Sequence, residues 1–147
     1  IIKRDSKYWL FGTMRGSGAD SELFVFFSER LTGPYKQHPK NPVKISITGA
    51  RPAGNIIEAD GILYRPSQNS KYTYGGSITI NKINKLTETD FDEEFYMAIN
   101  LNNKNKCNHG MHAIHTVNSA GNMIVVDGTK WRFSLKTKFK QIRIKLN

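Results

Sequence analysis

Short apolar runs, cut every few positions by Gly, Asn, Asp or Pro, fill most of the chain. "IIKRDSKYWLFGT" reads as a strand, a polar turn and an aromatic-rich strand. "NIIEADGILYRPSQ" has the same grammar, with Leu63-Tyr64 in the place of Leu10-Phe11. "HTVNSAGNMIVVDG" repeats it again, with Val125-Val126 there. The first two units continue into a longer third strand, "SELFVFFSERLTGPY" and "YGGSITINKINKLTETDF", and then a fourth, "PVKISITG" and "EEFYMAIN". Helical spacing is scarce: "INKINKLTETDFDEEF" suits a helix no better than a strand and a turn. The pattern predicts an all-β protein.

Units of four antiparallel strands, recurring every roughly 50 to 60 residues, are the mark of β-propeller blades. The units run approximately over 1–49, 50–100 and 109–147, about three blades in all. Propellers typically close with about four to eight blades, and an open arc of three would expose apolar inner edges. The expectation is therefore a fragment of a larger propeller, with its missing blades before Ile1. A self-contained sandwich of the same strands is the alternative.

The 147 residues suit one domain, and 38% hydrophobic content suits a globular one rather than a disordered chain. No apolar run approaches the ~18 residues of a membrane span. The opening "IIKRDSKYWLF" is neither a signal peptide nor an initiator Met, so a processed or trimmed chain is expected. With no targeting segment in this stretch, the expected compartment is the cytoplasm. The single Cys107 excludes an internal disulfide framework and a Cys-rich zinc site. A net charge of +10 invites a nucleic-acid reading, but no zinc-finger, RNP-type or helix-turn-helix pattern supports it. The densest basic cluster, "KTKFKQIRIKLN", alternates Lys136, Lys138 and Lys140 with Thr137 and Phe139, as an exposed edge strand does.

"S-x-x-L-x-GPY-x-x-HP-x-NPV", over Ser28 to Val43, is similar to the outer strands of five-bladed propellers in glycoside hydrolase families 43, 32 and 68. A longer ordered set covers nearly the whole chain. It comprises Tyr8-Trp9-Leu10-Phe11-Gly12, Gly33-Pro34-Tyr35, His38, Asn41-Pro42, Gly49-Ala50-Arg51, Asp60-Gly61, Leu63-Tyr64-Arg65, Gln68, Tyr74-Gly75 and Asp127-Gly128. It resembles the N-terminal propeller-like domain of plant glucosamine inositolphosphorylceramide transferases and bacterial relatives in sugar-modifying proteins. The resemblance implies a five-bladed propeller that handles carbohydrate. Its hydrolase relatives carry aspartates and a glutamate acid on the innermost strands. Where that acid would precede a proline, this chain has Arg51 before Pro52. A guanidinium cannot donate a proton as a general acid at neutral pH. Glu58, seven residues on along the same strand and toward its far end, is a candidate surrogate acid.

Arg51 and Arg65, on the inner and second strands of one blade, are expected to converge at one rim and grip hydroxyls or an anion. The plainer reading pairs each guanidinium with neighbouring carbonyls. Gln68 can both donate to and accept from a sugar hydroxyl, and Tyr72 and Tyr74 offer faces for stacking on a ring. "NHGMHAIHT" holds His109, His112 and His115. Strand alternation puts His112 and His115 on opposite faces, which disfavours a metal site. The resemblance implies that one of the two, His112 or His115, lines the pocket. Asp127 reads as a turn former, and Gly75-Gly76 as a close backbone turn. Arg15, which aligns by strand position with Gln68, is a further rim candidate.

The function expected is carbohydrate binding or processing as part of a glycan-modifying enzyme, with Arg51, Arg65, Gln68, Tyr74, His112, His115 and Arg15 as ligand-binding candidates. The partners expected are a sugar or sugar derivative and missing blades or a catalytic domain. No metal is expected, and the residues specify no cofactor. Alternatives are a glycoside hydrolase with its main carboxylates before Ile1 and, more remotely, a basic nucleic-acid-binding domain.

Overall fold

The computed structural model describes residues 1–99, 110–117 and 123–129. They form antiparallel β-sheets of five, four and two strands. The first holds β1 (Ile2–Arg4), β2 (Lys7–Gly12), β3 (Glu22–Ser28), β4 (Lys36–Gln37) and β5 (Lys44–Ile45). The second is an up-and-down meander of β6 (Ile57–Ala59), β7 (Ile62–Asn69), β8 (Ser77–Leu86) and β9 (Phe91–Ile99). The third pairs β10 (Ile114–Val117) with β11 (Met123–Val126). Among the described residues the sheets do not close a propeller ring. No described helix is long and apolar enough to cross a membrane. His109, Cys107 and the lysine-alternating end lie outside the described residues.

Two expectations about strands need correcting. The anticipated fourth strand of the first unit, 42–49, is reduced to β5, and a short unanticipated β4 precedes it; each pairs with a different part of β3. Pro39 and Pro42 lie between them, and proline has no N–H to offer a ladder. Side chains fill the gap: Asn41 accepts the Val25 N–H at 2.8 Å and donates to the Val25 carbonyl at 2.8 Å. The "GARPAG" segment, expected as an inner strand, makes single bridges instead, Pro52 to Ser67 and Gly54 to Ile114. Regular pairing starts only at Ile57.

The core divides between two seams. Where the first sheet meets the second, Trp9, Val25 and Phe27 are buried together with Phe11, Val43, Leu86 and Phe91 packed against them. The His38 ring is buried at the same seam and spans it, accepting the Lys40 N–H at Nδ1 and donating from Nε2 to the Thr87 carbonyl. Where the second sheet meets the third, Ala53, Ile78, Ile80, Met111 and Ile114 are buried, joined by Tyr64 and Ile99. Gly54 has φ +134°, and a Cβ there would overlap the Ile114 carbonyl, so glycine is what lets the two segments touch.

Candidate functional site

The hairpin tips 13–21 and 70–76, the connection 46–51 and the segments 110–113 and 127–129 gather at one end of the sheets, tied by backbone bonds. Ser46 N–H donates to Ser21, Ser70 to Ile47, and Met111 to Gly75. Arg51 is fixed there by its main chain. Its carbonyl accepts the Gln68 N–H at 2.8 Å, and the next-but-one N–H, of Ala53, donates to Pro66 at 3.0 Å.

The Arg51 side chain reaches across to the first sheet. Nη1 donates to the Ala19 carbonyl at 2.8 Å and lies 3.2 Å from the Asp20 carboxylate. Nη2 donates to the Tyr74 hydroxyl at 3.3 Å, and the guanidinium carbon lies 5.1 Å from the centre of the Tyr74 ring. Tyr74, half exposed, in turn lies 5.2 Å from the His112 ring. A Cβ on Gly75, whose φ is +64°, would overlap that ring, so glycine permits the Tyr74–His112 approach. Asp127 closes the chain of contacts. Its Oδ1 accepts the N–H groups of His112 and Ala113 at 2.9 and 2.6 Å, and its Oδ2 is 3.8 Å from His112 Nδ1. The turn-forming role expected of Asp127 thus holds a histidine at the rim. Gln68 lies beneath, buried, its amide nitrogen donating to the His112 carbonyl at 3.0 Å.

Arg65 does not join this rim. It is 1% exposed, and its guanidinium is fully engaged inside the seam between the first two sheets. Nε and Nη2 donate to Glu93 in a fork at 2.8 and 2.5 Å, while Nη1 and Nη2 reach the carbonyls of Ala50 and Gly49. Lys44 shares Glu93 at 2.7 Å and also donates to Asn81 at 3.1 Å. The plainer reading of this arginine therefore describes its geometry, and its reach to the rim is indirect, through the two carbonyls that precede Arg51. His115 is exposed on β10, while His112 is half-buried against Tyr74. Arg15 is exposed on the β2–β3 loop, and Tyr72 is 89% exposed at the tip after β7. Glu58 sits at the opposite end, 3.5 Å from Arg4. Asp20 was not foreseen; an acidic residue in a loop carries no local signal of the arginine it meets 31 positions later.

No solved structure matches the chain. The glucosamine inositolphosphorylceramide transferase 1 of Oryza sativa subsp. japonica is 35% identical over 63% of this chain and 13% of its own length. The protein of the same name from Arabidopsis thaliana is also 35% identical, with the same shares covered. The chain thus spans about an eighth of the length of these curated relatives. Residues 1–129 match the family described as glucosamine inositolphosphorylceramide transferase 1, N-terminal, and the chain belongs to that family.

Proposed function

We propose that this chain is the carbohydrate-binding, propeller-like part of a glycan-modifying enzyme, taking a sugar at the Arg51–Tyr74–His112 rim. That stack is the observation that carries the reading: a cation, a half-exposed aromatic face and an imidazole from separate segments meet at one end of the sheets. An aromatic face with polar groups at its edge suits a ring bearing hydroxyls. Gln68 supports the floor, and Arg15, Tyr72 and His115 flank it. Arg65 acts from below, as a positioning residue.

In the propeller reading, the first two sheets are successive blades and β10–β11 begin a third, with further blades completing a five-bladed ring. The relatives' name supplies the wider setting, transfer of glucosamine to inositolphosphorylceramide by the whole protein, to which this domain contributes binding. No specific observation favours the hydrolase alternative, since Arg51 stands at the acid's place and Glu58 is tied to Arg4. Nor is the nucleic-acid alternative favoured. Of the 22 Lys and Arg, 13 are among the described residues together with all 12 Asp and Glu, a net of +1 there.

The test is a thermal-shift panel on the intact protein with monosaccharides, oligosaccharides, sugar phosphates and nucleotide sugars, repeated with Tyr74→Ala and His112→Ala. A ligand at ~100 times its dissociation constant stabilises by about 2.7 kcal/mol. A sugar-dependent shift lost in both variants is expected. No shift with any sugar, beside a salt-sensitive shift with nucleic acid, would overturn the reading.

A further inference from the structure

Two buried side-chain atoms, Gln68 Oε1 and Ser70 Oγ, have no hydrogen-bond partner among the described residues. They stand two positions apart, at the end of β7 and the foot of the 70–76 tip, beneath the rim. Gln68 is 5% exposed, and its amide is turned the right way. Reversing it would set Oε1 against the His112 carbonyl that Nε2 now reaches at 3.0 Å, two acceptors face to face. The other buried polar side chains of β7 are engaged. Arg65 grips Glu93 and two carbonyls, while Ser67 Oγ donates to the Thr79 carbonyl and accepts from Asn81. A buried polar atom without a partner costs free energy, and folded chains keep few of them. Two such neighbours under one candidate site are groups held for a partner that arrives.

The two atoms define what that partner carries. A carboxamide oxygen only accepts, whereas a serine hydroxyl both donates and accepts. A ring oxygen, a carbonyl or an ionised phosphate has no proton to give Oε1. A sugar hydroxyl has one, and it or its neighbour on the ring accepts the Ser70 proton. We propose that Gln68 and Ser70 form the deep end of the rim site and take hydroxyl groups of the sugar there. The inference rests on the carbohydrate reading and adds the ligand's orientation. A hydroxyl edge points inward past Tyr74, while Arg51 and the exposed Arg15 and Lys71 face whatever else the ligand carries. Both atoms are shielded in the free protein, so entry requires a local opening of the tip. The side chains of Lys71 to Tyr74 are all exposed, and Tyr74 is held across the rim by a 3.3 Å hydrogen bond from Arg51 and by ring contacts with Arg51 and His112.

The experiment sets affinity against stability in the intact protein. Ligand-detected NMR titration uses glucose, galactose and mannose with the monodeoxy derivatives of each, and urea unfolding of the free protein gives its midpoint. Ser70→Ala is expected to weaken sugar binding about tenfold. Its urea midpoint stays level or rises, because the hydroxyl it loses had no partner. Gln68→Met is expected to weaken binding about tenfold as well, and to cancel the effect of one deoxy position. The derivative lacking the hydroxyl that Oε1 receives binds more weakly to the unaltered protein, and no more weakly than its parent sugar to the variant. A lowered midpoint in Ser70→Ala shows a hydroxyl already partnered in the free protein, by a bound water, and overturns the proposal. So does sugar binding that neither substitution weakens, or a deoxy series with the same losses in the protein and in Gln68→Met. Absence of binding by all three sugars defeats the carbohydrate reading itself, and this inference with it, whereas binding with an unchanged deoxy pattern defeats this inference alone.

Discussion

The two seams of the molecule are built on opposite principles. Between the second and third sheets, apolar side chains and glycines do the packing, and the segments come close enough that Gly54 and Gly75 admit no Cβ. Between the first and second sheets, the apolar cluster around Trp9 covers one part, and a polar network fills the part nearest the loop end. There Glu93, on the outermost strand, reaches past β8 to Arg65 on β7, while Asn81 donates to Ser67 and to the Arg65 carbonyl. The Thr79 hydroxyl continues the network to the Thr48 carbonyl. An apolar seam tolerates small slips, because dispersion and burial have no direction. A forked ion pair gripping two carbonyls fixes one geometry. The geometry it fixes is the backbone just before Arg51, so the directional seam underlies the rim.

Arg65→Met breaks this contrast hardest. It leaves Glu93, whose side chain is 2% exposed, with Lys44 alone, and removes the donors to Gly49 and Ala50. A loss of about 3–5 kcal/mol in urea unfolding is expected. Removing both charges with Arg65→Met and Glu93→Met together restores most of the stability, since no unpaired carboxylate then remains. A double variant that unfolds as readily as the single one would place the loss in the two ungripped carbonyls and not in an unpaired Glu93.

At the apolar seam the matching change is Ile78→Ala, at a side chain with no exposure. It costs about 3 kcal/mol by lost burial and residual cavity, with no dependence on salt or pH. Hydrogen exchange checks where the loss falls: amides of β8 and β10 lose protection, while those of β2 and β3 keep it. Smaller in energy, at about 2 kcal/mol, is Gly75→Ala, which combines an unfavourable positive φ with displacement of the His112 ring. Its sharper effect is on the rim. Sugar binding falls with the fold intact, and a variant that keeps full binding would detach His112 from the site.

Much of this was legible in the chain. Repeated strand–turn–strand grammar located β1, β2, β6, β7, β10 and β11, because alternation and Gly-rich turns are local signals. The rim was half legible. Arg65 and Gln68 are three apart on one strand, and a period of two sends them to opposite faces. Gln68 accordingly meets His112 on the third-sheet side, and Arg65 meets Glu93 on the first-sheet side. A shared rim for Arg65 and Gln68 was therefore an expectation that strand geometry itself argues against. The partners of Arg51 and Arg65 were not legible, since Asp20 lies 31 positions before one and Glu93 28 positions after the other. Only the folded register brings them together.

The gentlest probe of the directional seam is its outer end. Asp90 bridges Lys40, from the connection after β4, and Lys85 on β8. The hydrogen bond from Lys40, then that from Lys85, holds its carboxyl well below the usual carboxylate range, and Lys85 is raised in return. A depressed folded-state value means that the unfolded chain binds the proton more readily. The stabilisation is therefore complete above the ordinary aspartate value of about 3.9 and fades as pH falls below it toward the folded value. All three side chains face solvent, so the effect at neutral pH is small and shrinks further in salt. Asp90→Asn keeps an acceptor for the Phe91 N–H and removes the charge. The difference in urea midpoint between the protein and this variant is expected to narrow as pH drops from 5 toward 2 (about the span over which an exposed carboxylate titrates). A difference that stays constant across that interval would show that the two lysines are held by geometry alone, and that the Asp90 charge contributes nothing at this exposed end of the seam.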